Sequence, residues 1–183
     1  MEVIKTPLEG LLLLRPRIFR DGRGWFLESY NREAFAAQGI TETFVQDNHS
    51  RSVRNTLRGL HFQTQPGQAK LIRCTFGEVW DVAVDIRPGS PTFGRHHGER
   101  LTHNDQVQIL IPVGFAHGFV VLSEWAEVQY KCSNVYNAAT ESGIAWDDAD
   151  LGVPWPLRGE EPIISERDKK NQSFREFQAG IKR

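Results

Sequence analysis

The sequence predicts an all-β protein: a double-sheet antiparallel roll with a few short peripheral helices, built as one domain over residues 1–183. Three observations carry this. Apolar and polar residues alternate at period two through the middle of the chain. Turn signals recur about every ten residues, a spacing that favours an antiparallel sandwich or barrel over alternating βαβ units. Helical signals are confined to two short stretches. The length of 183 residues allows one domain with a real core and is short for two. A composition of 39% hydrophobic and 25% charged residues argues against disorder.

The elements follow in order. "NREAFAAQG" offers Asn31 as a helix N-cap and Gly39 as its stop. Val45 to Gln63, "VQDNHSRSVRNTLRGLHFQ", is polar in its first half, while Val53, Leu57, Leu60 and Phe62 read as a strand. "KLIRCTFGEVWDVAVDI" (Lys70 to Ile86) reads as two strands broken at Phe76–Gly77. In the second, Trp80, Val82, Val84 and Ile86 share one face, and Val79, Asp81, Ala83 and Asp85 the other. "RPGSPTFG" (Arg87 to Gly94) is a Pro/Gly loop. Val107 to Cys132 reads as three strands, with turns near Pro112–Gly114 and Ser123–Trp125. "SFREFQAG" offers Ser173 and Glu176 as a capping box.

Composition also excludes classes. A net charge of -1 gives no bulk electrostatic case for nucleic acid or a membrane surface. No apolar run approaches the ~20 residues that span a bilayer, and the N-terminus lacks a basic-apolar-small signal pattern. Cys74 and Cys132 both lie in strand-like segments and read as buried thiols in a reducing compartment. The expectation is a soluble, cytoplasmic protein.

Three polar groups sit on strands. His61 follows "LRGL". His117, in "GFAHGF", shares a face with Phe115, Phe119 and Val121. Tyr130, in "EVQYKC", shares one with Val128 and Cys132. A polar group on an apolar face must be hydrogen-bonded or functional. Singly, each reads as a satisfied core residue; together with the polar run before His61, they read as the lining of one cavity. His is a base poised near neutral pH, Lys70 is suited to stabilising an oxyanion, and Tyr to giving a proton. That set suits proton abstraction next to a carbonyl. Arg23 and Arg58 suit a phosphorylated substrate, whereas Arg51 and Arg54 read as solvated surface. No metal is expected: Gly59 and Gln63 stand where an H-x-H pair with His61 would need a second histidine, and His96 and His97 would point to opposite faces of a strand. No G-x-G-x-x-G or P-loop occurs, so no cofactor is implied.

The stretches "DGRGWFLESYN", "FVQDNHS", "LRGLHFQ", "GEVWDVAVDIRPGSPTFG", "IPVGFAHGF" and "LSEWAEVQYKCSNVY" resemble, in order and spacing, the motifs of the dTDP-4-dehydrorhamnose 3,5-epimerase family, and the resemblance runs on to "ISERDKK". It implies a metal-free, cupin-like jelly roll. It implies His61 as general base with Asp168 as its carboxylate partner, Tyr130 as proton donor, and Lys70 and Arg58 as cations near the keto oxygen. Arg23, Glu28, Gln46, Asn48, His117 and Glu141 fall on substrate-contacting positions. Arg167 stands where the family usually has a Lys, which keeps the charge but replaces a point charge with a fork. The resemblance further implies a homodimer in which an N-terminal segment of one subunit closes the other's site.

The implied reaction is removal of the protons at C5 and C3 of a dTDP-4-dehydro-6-deoxyhexose by His61, with Lys70 offsetting the enolate charge and Tyr130 reprotonating the other face. An epimerase acting at C3 only or at C5 only would keep the same His, Lys and Tyr. A non-catalytic nucleotide-sugar-binding cupin would show the loss of His61, Asp168 or Tyr130, and all three are present. Strict alternation puts Arg58 and His61 on opposite faces, whereas the resemblance puts both in the pocket; a bulge or bend at Gly59 would reconcile the two.

Overall fold

The computed structural model describes residues 1–181. The first strands are β1 (Glu2–Lys5), β2 (Leu12–Arg15), β3 (Ile18–Asp21) and β4 (Gly24–Leu27), followed by the helix α1 (Arg32–Ala36). Then come β5 (Gln46–Val53), β6 (Leu57–Gln63), β7 (Lys70–Phe76), β8 (Glu78–Asp85), β9 (His96–Thr102), β10 (Gln108–Ile111), β11 (Phe115–Val121), β12 (Trp125–Cys132) and β13 (Glu141–Gly143). A 3₁₀ turn (Asp168–Lys170) and the helix α2 (Phe174–Gly180) follow.

The strands form a six-stranded sheet in the order β1-β2-β10-β7-β12-β5 and a five-stranded sheet in the order β13-β6-β11-β8-β9; β3 and β4 stand apart as a hairpin. Every ladder is antiparallel, which makes the chain the predicted double-sheet roll.

Ile72, Cys74 and Val128 from one sheet meet Val79, Ala83, Phe115 and Phe119 from the other, and this is the main core. The opposite face of β8, with Trp80, Val82 and Val84, is also covered, together with Ile86 just past its end. Ile144, Leu151, Trp155 and Phe174 of the C-terminal segment lie over it. Both faces of β8 are therefore largely buried, one with Trp80, Val82 and Val84 and the other with Val79 and Ala83 beside the buried carboxylates of Asp81 and Asp85. A third cluster seats Phe35 and Ile40 of the α1 region on Leu14, Leu71 and Leu110. Cys74 and Cys132 are buried free thiols, and no helix among the described residues is long and apolar enough to cross a membrane.

The helix signals hold in detail. The Asn31 side chain accepts from the Glu33 and Ala34 amides, and Ser173 and Glu176 form the full reciprocal capping box. The break at Phe76–Gly77 and the three strands after Val107 also stand. The first half of the polar run differs from its sequence reading, because it too is a strand. In β5, Gln46, Asn48, Ser50 and Ser52 face inward, while Asp47, His49, Arg51 and Val53 are exposed. The period of two is present, but polar residues occupy both faces, so hydrophobic patterning is silent there. The short strands β1 to β4 and β13 carry too few residues for their alternation to register, and β9 (HHGERLT) has seven residues but Leu101 as its one aliphatic side chain.

Candidate active site

The inward faces of the two sheets part at one end of the roll and leave a cavity of about 470 Å³. The five-stranded sheet contributes Arg58 and His61 from β6 and His117 from β11. The six-stranded sheet contributes Lys70 from β7 and Tyr130 from β12, and the start of the 3₁₀ turn adds Arg167 and Asp168. A second recess of about 270 Å³ shares His61, Lys70 and Tyr130 and continues to Gln46, Asn48 and Glu141.

His61 Nε2 lies 2.6 Å from Asp168 Oδ1. Asp168 is buried, its other oxygen accepts the Gly59 amide at 3.3 Å, and its own amide donates to Ser165 Oγ at 3.0 Å. Burial alone would raise the Asp168 pKa, but the hydrogen bonds from His61 and Gly59 outweigh it and hold the carboxyl below its usual range. An ionised Asp168 fixes the proton of neutral His61 on Nε2 and leaves Nδ1 able to take one.

Arg58 reaches the same cavity through a bulge. The β6–β11 ladder pairs His61 with His117 and then Arg58 with Phe119, three steps on one strand against two on the other. Gly59 has φ +135° at this point, and a Cβ there would lie 2.5 Å from the Gly118 Cα. Only glycine allows that conformation and that approach. The extra residue turns Arg58 to the inward side with His61, which answers the conflict in the alternation count. Arg58 Nε then donates to Ser52 Oγ of β5 at 3.0 Å.

Burial pushes the Lys70 pKa down, against the opposing pull of Cys132, Glu141 and Asp81. Burial pushes the Tyr130 phenol up, with Arg58 working against it. The phenol thus holds its proton more tightly than in water, as a proton donor must before it is called on. His117 Nε2 lies 2.8 Å from Oδ2 of the fully buried Asp81. Burial lowers the His117 pKa despite that carboxylate, and the neighbouring Lys70 and His61 add to the lowering. Glu141 Oε2 sits 2.6 Å from Arg167 Nη2 and accepts the Tyr136 hydroxyl at 2.6 Å. Gln46 Nε2 donates to Asn48 Oδ1 at 3.0 Å, and Asn48 Nδ2 to Cys132 Sγ at 3.4 Å.

The family model described as dTDP-4-dehydrorhamnose 3,5-epimerase matches residues 5–176. The chain belongs to this family. It is 50% identical over 175 residues to the dTDP-4-dehydrorhamnose 3,5-epimerase of Pseudomonas aeruginosa, covering 95% of this chain and 96% of that one. The solved rmlC epimerase of Mycobacterium tuberculosis superposes with a TM-score of 0.94 at 41% identity, covering 98% of this chain and 91% of that one. A dTDP-6-deoxy-D-glucose-3,5-epimerase from Legionella pneumophila, solved with dTDP-4-keto-L-rhamnose, superposes with a TM-score of 0.91 at 45% identity, covering 94% of this chain and 92% of that one. The roll is thus the cupin-like jelly roll of these epimerases, and the chain is an isomerase.

Ten of the twelve residues expected in the epimerase site line the two connected recesses: His61, Tyr130, Asp168, Lys70, Gln46, Asn48, Arg58, His117, Glu141 and Arg167. Arg23 and Glu28 do not. Arg23 stands fully exposed on the β3–β4 hairpin, its Nη2 2.6 Å from Asp21 Oδ2, and Glu28 accepts from Asn31 Nδ2 at 3.1 Å. Arg51 is a surface residue, as read, with its guanidinium 3.7 Å from the Trp125 ring. Asp81 was open to discovery from sequence, being a carboxylate that alternates with Val79 and Ala83 on the core face. Tyr136, Ser165 and Ser52 carried no local signal. Among the described residues no group of three His, Cys, Asp or Glu side chains is placed to hold a metal ion.

Proposed function

We propose that the chain, as one epimerase domain, converts dTDP-4-dehydro-6-deoxy-D-glucose to dTDP-4-dehydro-L-rhamnose by inverting C5 and C3. The observation that carries this reading is that His61 with Asp168 and the phenol of Tyr130 reach one cavity from opposite sheets, with Lys70 beside both. Base and acid on opposing walls are what inversion through a planar enolate requires.

His61 Nδ1 takes the proton from C5, and later from C3, each α to the C4 ketone. The C–H electron pair moves into the enolate, whose oxygen charge is offset by the Lys70 ammonium. Tyr130 returns a proton to the opposite face, after which solvent restores both groups. No electron is gained or lost overall, so the steps need no redox partner. The positioned base contributes on the order of 10²–10⁴ in rate, and a charge donor at the enolate oxygen roughly 3–4 kcal/mol. Arg58 and Arg167 suit the diphosphate, and Gln46, Asn48, His117 and Glu141 the remaining polar contacts.

Arg23 and Glu28 fit the reading if a second copy supplies them. The hairpin that bears Arg23 exposes Phe19, Trp25 and Phe26 and has no sheet of its own to join. A homodimer in which this N-terminal segment closes the partner's site would cover those aromatics. The compartment consistent with two free thiols and a nucleotide-sugar substrate is the cytoplasm.

Proton NMR of dTDP-4-keto-6-deoxyglucose with the enzyme in deuterated water tests the function. Deuterium is expected at both C3 and C5 with inverted product; exchange at one carbon alone would assign a monoepimerase instead.

A further inference from the structure

The loop Ser133–Thr140 leaves β12 in one sheet and enters β13 in the other, so it crosses the mouth of the site. It carries Tyr136, whose hydroxyl meets the Glu141 carboxylate that also holds Arg167. Three glutamine side chains bind its backbone. Gln46 Oε1 accepts the Tyr136 amide at 2.7 Å, Gln63 Oε1 accepts the Asn137 amide at 3.1 Å, and Gln68 Nε2 donates to the Asn134 carbonyl at 2.7 Å.

Their places in the sequence are regular. Gln46 lies two residues before Asn48, Gln63 two after His61, and Gln68 two before Lys70. Along a strand, two residues is one pleat on the same face. Strands β5 and β6, which deliver Asn48 and His61 to the cavity, therefore each deliver, one step along, an amide to the loop, and Gln68 does so from the connection that leads into Lys70 of β7. Gln63 does so at a cost to stability: its Nε2 is buried and has no partner among the described residues. An orphaned buried donor is disfavoured, so a core fitted for stability alone gains nothing by keeping a glutamine at that position.

We propose that Gln46, Gln63 and Gln68 are positioning residues that hold the Ser133–Thr140 loop as a preformed wall of the substrate site, acting through Tyr136 and Glu141 rather than on the reacting carbons. The proposal rests on the epimerase reading for its kinetic arm alone. A loop already in place before substrate arrives removes an ordering cost from binding. Losing the clamp then weakens substrate capture and leaves the chemistry at His61 and Tyr130 in place.

The test uses the full chain with Gln63→Met and Gln68→Met, singly and together, and Val82→Ala as a comparison lesion in the outer core cluster. Amide hydrogen exchange over residues 133–140 is measured without ligand, and steady-state kinetics with the dTDP-4-keto sugar. The glutamine variants are expected to exchange at Tyr136 and Asn137 about tenfold faster than wild type, and to raise KM about tenfold with kcat within about threefold. Val82→Ala should lower the melting temperature without either effect. Gln63→Glu keeps the acceptor for the Asn137 amide and should retain its protection, which covers the case that Gln63→Met does not fold. Unchanged loop exchange in folded Gln68→Met and Gln63→Met overturns the clamp. A fall in kcat with KM unchanged overturns the positioning role. Wild-type protein that fails to turn over the sugar rejects the epimerase reading, while the exchange data still decide the clamp.

Discussion

His61 and His117 are direct partners across the β6–β11 ladder, and each has its Nε2 on a buried carboxylate, Asp168 at 2.6 Å and Asp81 at 2.8 Å. The two imidazoles are nevertheless unequal. The His61 side chain is 26% exposed and opens to the cavity, whereas that of His117 is 8% exposed. Burial lowers the pKa of His117 against the pull of Asp81 and so favours its uncharged form. One histidine is placed to exchange protons with a substrate and the other to offer a fixed hydrogen bond.

His61→Asn is accordingly expected to lower kcat by at least ~10² with the fold intact, as read by circular dichroism and product formation. More than a tenth of wild-type turnover would remove His61 from the role of base.

Tyr130→Phe keeps the ring and loses the acidic proton. In deuterated water the variant should still wash deuterium into the substrate, with configuration retained, and form little inverted product. Inversion of C5 at near wild-type rate would exclude Tyr130 as the acid. A tyrosine that served packing alone would instead lower the melting temperature and move exchange and inversion together.

Gly118 tests the bulge. A Cβ on it would lie 2.8 Å from the Arg58 carbonyl oxygen and 3.2 Å from the Gly59 Cα. Gly118→Ala should push β6 away and displace Arg58 and His61 together. A drop of about tenfold or more in kcat/KM is expected, since misplacement on the order of 1 Å costs that much or more. Full activity would show that the ladder tolerates the methyl group.

Asp85 supplies a prediction about acid stability. It is fully buried and accepts from Arg87 Nη2 at 2.7 Å and from Ser90 Oγ and Thr92 Oγ1, each at 2.6 Å. Burial would raise its pKa, but these donors outweigh burial and hold it well below the usual carboxylate range. A depressed folded pKa stabilises the native state fully above the unfolded value of about 3.9 and loses that stabilisation as pH falls below it toward the folded value. Asp85→Asn should therefore cost about 1–3 kcal/mol in urea unfolding at pH 6–7. The gap from wild type should narrow below pH ~4. A gap that is constant from pH 7 to 3 would mean that the carboxylate charge contributes nothing.

Strands β7, β8, β11 and β12 were legible in the sequence because their inward faces are apolar and their turns carry Gly, Pro or Ser. Strand β5 was not, because Gln46, Asn48, Ser50 and Ser52 face a wet cavity, where the usual contrast between faces vanishes. His61, His117 and Tyr130 showed themselves as polar groups on apolar faces. The pairing of His61 with Asp168 spans 107 residues and joins a strand to a 3₁₀ turn, so no local pattern encodes it; it came from resemblance to a family. The shared orientation of Arg58 and His61 was hidden for another reason. It depends on one extra residue in a ladder, which reverses parity without changing composition.

The loop that joins β12 to β13 is anchored on both sheets, by Gln46 and Gln68 beside the six-stranded sheet and by Gln63 on the five-stranded one. Mechanically it is a tie across a gap. Two stacked sheets can breathe apart beside a cavity, and the tie opposes that motion at the recess lined by Gln46, Gln63 and Tyr136. The width of the entrance that a substrate meets then has a fixed gauge, the span of a short loop, and does not rest on the packing of the distant core. Mutations deep in the roll that loosen its packing should therefore cost this protein stability well before they cost it affinity for substrate.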